Sequence, residues 1–155
     1  MVATSAGILL YRLGADGPEV LIAHPGGPFW SRKDEGAWSI VKGLLAEGED
    51  LWTAARREFR EEVGIDVPAG AYVELGTVTQ RGGKIVTAFG VESDLDVSNA
   101  VSNTFEIEWP PKSGLMKSFP EVDRIEWFPL EQARQKLLPS QLPFLDAVEA
   151  IVAAN

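Results

Sequence analysis

Apolar positions along this chain follow two different rhythms. Residues 3–12 and 19–24, the latter with Val20, Leu21, Ile22 and Ala23, are apolar runs of strand length. Gly14, Asp16, Gly17 and Pro18 part them, which predicts a hairpin-like pair. Ala37 to Val41 predicts a short strand leading into Lys42-Gly43. Over 50–63 the period changes: at about 100° per residue, Trp52, Ala55, Phe59 and Val63 fall on one stripe flanked by Leu51, and Gly64 follows as a stop signal. Two strand-like runs, 71–80 and 84–92, meet at Arg81-Gly82-Gly83-Lys84. Gly-Gly there predicts a tight hairpin, because both turn positions need positive φ. Ile125 to Phe128 reads as a further short strand. Pro129 opens a helix over 130–137, and an amphipathic helix over 141–153 repeats Phe144 or Leu145, Val148, Ile151 and Val152. Strands, helix, strands and helices in a chain of 155 residues predict an α/β fold, a mixed sheet with helices packed on it.

Two segments lack either rhythm. Residues 25–37 (Pro-Gly-Gly-Pro-Phe-Trp-Ser-Arg-Lys-Asp-Glu-Gly-Ala) are too rich in turn formers and charge for regular structure, and long loops inside compact domains are often binding loops. This stretch is a candidate substrate wall. Residues 93–122, with Trp109-Pro110-Pro111 and a Lys112-Ser113-Gly114 turn, are also irregular. No repeat, low-complexity tract or linker divides the chain, so one domain over 1–155 is expected.

Composition narrows the chemistry. Fourteen basic against 23 acidic residues give a net charge of -9, which argues against sequence-independent binding of DNA or RNA, since that needs a Lys/Arg surplus to displace phosphate counterions. Small anionic substrates stay open, because a bound divalent cation inverts the field around a carboxylate cluster. Without cysteine there is no disulfide scaffold, thiolate zinc site or cysteine nucleophile, and the single histidine, His24, excludes multi-histidine metal sites. The apolar run Ile8-Leu9-Leu10 has no basic leader before it, and no stretch approaches transmembrane length. A soluble, cytoplasmic protein without membrane contact is therefore expected.

The helix over 50–63 gathers the residues of chemical interest. Glu58, Glu61 and Glu62 share an arc of about 100°, while Arg56, Arg57 and Arg60 lie across the apolar stripe, and Glu47 and Glu49 precede the helix. Arg57 and Glu61 form one i, i+4 ion pair; Glu58 and Glu62 are like charges at the same spacing, which costs a few tenths of a kcal/mol on an isolated helix. A compensating cation removes that conflict. A carboxylate cluster without histidine or cysteine points to Mg²⁺, with Mn²⁺ as the other hard candidate, and not to zinc. Cations held this way bridge phosphate oxygens and neutralise charge developing at phosphorus.

Gly43, five residues, Glu49, seven residues, then Arg57-Glu58-Phe59-Arg60-Glu61-Glu62-Val63-Gly64-Ile65 resembles the complete Nudix box, with hydrophobic Phe59 and Ile65 at the two positions that call for them. The order of elements across nearly the whole chain is also similar to the Nudix fold, an α/β/α sandwich around a mixed β-sheet. The resemblance implies Mg²⁺-dependent hydrolysis of a phosphoanhydride bond in a nucleoside diphosphate linked to another moiety, such as a nucleoside triphosphate or a dinucleoside polyphosphate. It implies Glu58 and Glu62 as principal metal ligands, Glu61 as a further ligand or water-activating base, and the Gly43 carbonyl completing the site. Arg57 would orient the glutamates and Glu49 would be structural. Val41 departs from the pattern where many relatives carry proline, leaving the ligands untouched. The run of motifs, including Pro25-Gly-Gly-Pro-Phe-Trp and Phe119-Pro-Glu-Val-Asp, is similar to bacterial Nudix proteins described as nucleotide pyrophosphohydrolases, and homodimers are frequent among relatives.

Outside the box, Lys42 adjoins the site and is a candidate phosphate contact. Phe29 and Trp30 either stack on a nucleobase or pack the loop onto its own domain. Glu121, with Asp123, is a candidate additional carboxylate, because relatives often supply one from a loop after the box. Arg81 and Lys84 read as solubilising hairpin residues, Trp127 and Phe128 as core, His24 as structural; Lys112 and Lys117 could meet distal phosphates. A metabolite-sensing module that keeps the fold without turnover is the alternative. Such modules commonly lose a box glutamate, and this sequence keeps all of them.

Overall fold

The computed structural model describes residues 3–154. The strands are β1 (Thr4–Gly14), β2 (Gly17–Pro25), β3 (Val41–Leu44), β4 (Tyr72–Thr79), β5 (Ile85–Glu92), β6 (Thr104–Glu108), β7 (Met116–Pro120) and β8 (Val122–Pro129). The helices are α1 (Leu51–Val63), α2 (Leu130–Lys136) and α3 (Leu142–Ala153), with a 3-10 turn at Pro139–Gln141 between the last two. Six strands form the main sheet in the order β4-β5-β1-β2-β8, with β3 also paired to β1. β1 and β5 run parallel while the other pairs are antiparallel, so the sheet is mixed. β1 is long enough to divide one edge between two partners: Ser5 to Ile8 pair with β3, and Tyr11 to Gly14 with β2.

The unbroken apolar run of β1 follows from burial on both faces. Ile8 and Leu10 point to the layer holding Ala55, Phe59 and Val63 of α1, whereas Leu9 and Tyr11 point to the opposite layer with Phe144, Leu145 and Val148 of α3. The α/β/α sandwich expected from the sequence is the observed arrangement. The ends of α1 are set locally: the Asp50 side chain accepts from the Thr53 N–H, and Gly64, at φ 77°, closes the helix with its N–H on the Arg60 carbonyl. Gly82 and Gly83 both take positive φ in the β4–β5 turn, as the hairpin requires.

Two expectations need correction. The strand expected over Ala37 to Val41 falls instead at Val41–Leu44, so Lys42 and Gly43 lie inside β3, opposite Gly7 and Ala6. Upstream, backbone groups are spent elsewhere: the Trp38 carbonyl accepts from Leu138, Ser39 makes only an isolated bridge to Ala23, and the Ile40 N–H donates to the Gln141 side chain. The segment 93–122 is also more ordered than its punctuation suggests, since β6 and β7 form a separate hairpin with 110–114 at its tip. Its alternation, with Phe105 and Ile107 half-buried between exposed Thr104, Glu106 and Glu108, is a strand period too short to stand out beside so many turn formers.

Gln141 is fully buried and fully bonded, accepting from Ile40 N–H (2.9 Å) and donating to the Ser39 hydroxyl (3.0 Å) and the Gln80 side-chain oxygen (2.9 Å). It joins the α2–α3 connection to the strand that leads into the box. Gln141→Leu strands a buried N–H, so a loss of about 1–3 kcal/mol in unfolding free energy is expected by denaturant titration; an unchanged midpoint would contradict this reading.

Candidate active site

The box assembles around Arg57 of α1. Its guanidinium forks onto Glu49, with Nε to Oε2 and Nη2 to Oε1 both at 2.9 Å, and Nη2 also donates to the Leu44 carbonyl at 3.0 Å. Nη1 donates to Glu58 Oε1 at 3.0 Å and to Glu61 Oε2 at 3.2 Å. One arginine thus ties the loop after β3 to two glutamates of the helix, and the bidentate match adds geometric precision. Hydrogen bonds from Arg57 and from the Ala46 N–H hold Glu49 down to about 2, so this carboxylate stays ionised and anchors the arginine.

Glu58 and Glu62 are in the opposite condition. Glu62 is pushed up to about 8, first by burial and then by the Glu58 charge, with Glu121 adding to the repulsion and Lys42 opposing it. Glu62 Oε2 is buried and accepts no hydrogen bond from the protein. An unpaired buried carboxylate oxygen is costly, so the site calls for either a proton or a cation at that atom. Glu58 is raised as well, by burial and by Glu61, with Arg57 acting against both. The Glu58 carboxyl occupies the space a Cβ on residue 43 would need. Only glycine at 43 lets this carboxylate lie against the β3 backbone, which gives the first position of the box a steric reason. The Lys42 ammonium is lowered by burial, with Lys84 adding to the effect and the charges of Glu62 and Glu58 opposing it.

These groups border a cleft. A cavity of about 160 Å³ is lined by Pro25, Ser39, Lys42, Glu62 and Glu121 among others, and a second of about 160 Å³, sharing Glu62 and Val122, reaches Ser102, Asp123 and Arg124. A larger hollow of about 530 Å³ around Arg12, Asp94 and Trp127 contains none of the box residues; size alone does not mark the chemistry. Among the described residues no three acidic, histidine or cysteine side chains close into a preformed cage. Mg²⁺ does not require one, because it is held by one or two carboxylates, with waters and substrate oxygens completing the octahedron. The donor set, all oxygen with one buried unpaired carboxylate atom, fits such an ion.

The structure brings Lys42, Gly43, Arg57, Glu58, Glu61 and Glu62 together, with Glu61 on the outer, more exposed side. Glu121 joins them from the junction between β7 and β8 through the cleft wall and through its charge on Glu62. Phe29 and Trp30 lie in the exposed loop after β2, Phe29 edge-on to Trp109 at 5.5 Å and Trp30 under the Lys33 ammonium at 5.0 Å. Neither lines the Glu62 cavity. Trp127 is only half-buried, with Arg12 over its ring at 4.1 Å. Ser39 escaped the sequence reading as a neighbour of the site, and Lys84, weighed as a phosphate contact but read as a solubilising hairpin residue, lies near enough to act on the Lys42 charge. No local pattern marks Ser39, and Lys84 approaches only because β5 starts along one edge of β1 while β3 pairs with the other.

Over residues 1–148 the chain matches the family model for the NUDIX domain. It is 28% identical over 130 residues to Nudix hydrolase 5 of Arabidopsis thaliana, covering 81% of this chain and 36% of that protein. To Nudix hydrolase 7 of the same plant it is 43% identical over 47 residues, 30% of this chain and 16% of that one. The chain therefore spans little more than a third of the length of one of these relatives and less than a fifth of the other. Among solved structures it resembles a C. elegans Ap4A hydrolase binary complex, with a TM-score of 0.65 at 21% identity over 97% of this chain and 99% of the other. It also resembles the NUDIX domain of Shewanella oneidensis NrtR complexed with ADP ribose, with a TM-score of 0.67 at 16% identity over 97% and 88%. Likeness at such low identity speaks to the fold. The sheet order, the glycine that admits Glu58 and the match over nearly all of its length place this chain in the Nudix family.

Proposed function

We propose that this chain is a pyrophosphohydrolase domain that uses a divalent cation to cleave a phosphoanhydride bond in a nucleoside diphosphate bearing a further group. The observation that carries the reading is Glu62: a carboxylate buried beside Glu58 with one oxygen unpartnered and its pKa raised to about 8. Glu58, Glu62 and the Gly43 carbonyl would hold Mg²⁺ or Mn²⁺, with Glu61 as a further ligand or base. Held there, such an ion would supply charge neutralisation at the phosphoanhydride oxygens and a lowered pKa for bound water. Arg57 keeps Glu58 and Glu61 in place through three hydrogen bonds and draws its own rigidity from Glu49. Lys42, on the cleft wall, contributes a positive charge toward the phosphates, and Glu121 faces Glu62 across the same cavity. An Ap4A hydrolase and an ADP-ribose complex among the structural neighbours support a nucleotide substrate class.

Phosphate and pyrophosphate release over a panel of nucleoside triphosphates, dinucleoside polyphosphates and nucleoside diphosphate sugars tests this directly. Turnover with Mg²⁺ or Mn²⁺ and none after chelation is the expected result. Tight nucleotide binding without product under any divalent cation would instead identify a sensing module.

A further inference from the structure

His24, at the end of β2, is fully buried, and both of its ring nitrogens face acceptors. Nδ1 lies 2.7 Å from Asp123 Oδ1 and Nε2 lies 2.6 Å from the Lys33 carbonyl oxygen. The ring thus bridges the loop after β2 and the first residues of β8. Asp123 is partly solvent-exposed, at 32% of its side chain, and Arg124 Nε stands 3.9 Å from the same oxygen. Across the edge of Trp38, 5.3 Å from the imidazole, stand the remaining charges, the Arg124 guanidinium over that ring and the Asp34–Lys136 pair.

The bonds of this imidazole reach the wall of the cleft. The loop after β2 is fastened at both ends to the same short stretch of chain: the Gly26 N–H donates to the Glu121 carbonyl at 2.9 Å, and the Lys33 carbonyl is held by His24, which is held by Asp123. Between these pins, Trp30 and Lys33 close the loop on itself through Trp30 N–H to Gly27 and Lys33 N–H to Trp30. Pro25, Glu121 and Val122 line the cavity at Glu62, and Asp123 lines the adjoining one. Residues 26–33 line neither cavity themselves, so the loop's anchoring acts on the cleft wall through Glu121 and Asp123, apart from Arg57.

We propose that His24 is a positioning residue: a buried imidazole that clamps the loop at Lys33 to Asp123 and so sets the shape of the substrate-binding wall. The inference rests on the hydrolase reading for its kinetic consequence. Asp123→Ala removes one pin and should raise KM by roughly tenfold, the scale of a lost charged hydrogen bond, while changing kcat less than about twofold. Asp123→Asn is the rescue, since a side-chain amide can pair with Nδ1 of either ring tautomer and keep the pin. It should keep KM within about threefold of wild type. An unchanged KM in Asp123→Ala, or a kcat loss matching the KM rise, would overturn the proposal. Absence of turnover in the wild type would instead sink the hydrolase reading, and the tenfold weakening is then read as the Kd for Mg²⁺–ADP, where equal affinities would overturn the clamp.

Discussion

Glu62→Gln is expected to lower turnover by about 10²–10⁴-fold, the range for losing a group that handles charge or protons at the reacting centre, and at the same time to stabilise the metal-free protein. The two effects have one cause. In the folded state the Glu62 carboxyl is raised from its ordinary 4.5 to about 8, so the native form holds its proton more tightly than the unfolded chain does. Stability from this group is fully present below about pH 4.5, declines as pH rises and is lost above about 8. A neutral amide of the same shape escapes that decline, so the variant should exceed the wild type by up to a few kcal/mol in alkaline, metal-free buffer and match it in acid. Chemical denaturation at several pH values, beside initial rates, measures both. A variant that loses activity and stability together would mean that Glu62 serves packing.

Gly43→Ala is the second large expectation. The nearest atoms that a methyl at this position meets are those of the Glu58 carboxyl, and that end of a flexible side chain can swing aside. Stability should stay within about 1 kcal/mol of wild type, because alanine in a strand otherwise regains what glycine loses in chain entropy. Activity should fall by about 10²-fold or more, since displacement by as little as 1 Å from productive geometry carries that penalty. Near-normal rates in a folded Gly43→Ala protein would dissociate Glu58 from the chemistry.

How legible the site was depends on the range of the contacts. The glutamates, Arg57 and the Gly64 stop lie on or beside one helix, where fixed rotation per residue turns spacing into geometry, and the Arg57–Glu61 pair was readable at i, i+4. The Gly-Gly hairpin was equally local. By contrast, the placement of β3 depends on Gly7 and Ala6, some 36 residues away across the sheet, so the boundary near Lys42 was misplaced. The His24–Asp123 contact bridges 99 residues, and nothing near His24 announces it. The β6–β7 hairpin was hidden by its short strands and by the prolines and glycine at its tip. The reason for Gly43 is tertiary too: a box position understood only when Glu58 is seen lying where a Cβ would be.

The central claim is that Glu62 exchanges a proton for a cation. Calorimetric titration of the metal-free protein with Mg²⁺ at neutral pH, in two buffers of different ionisation enthalpy, counts the protons released on binding. Release of close to one proton per chain in the wild type and almost none in Glu62→Gln is the expected result, because ligands must deprotonate before they coordinate. Mg²⁺ binding with no proton release, or the same release from both proteins, would contradict the account.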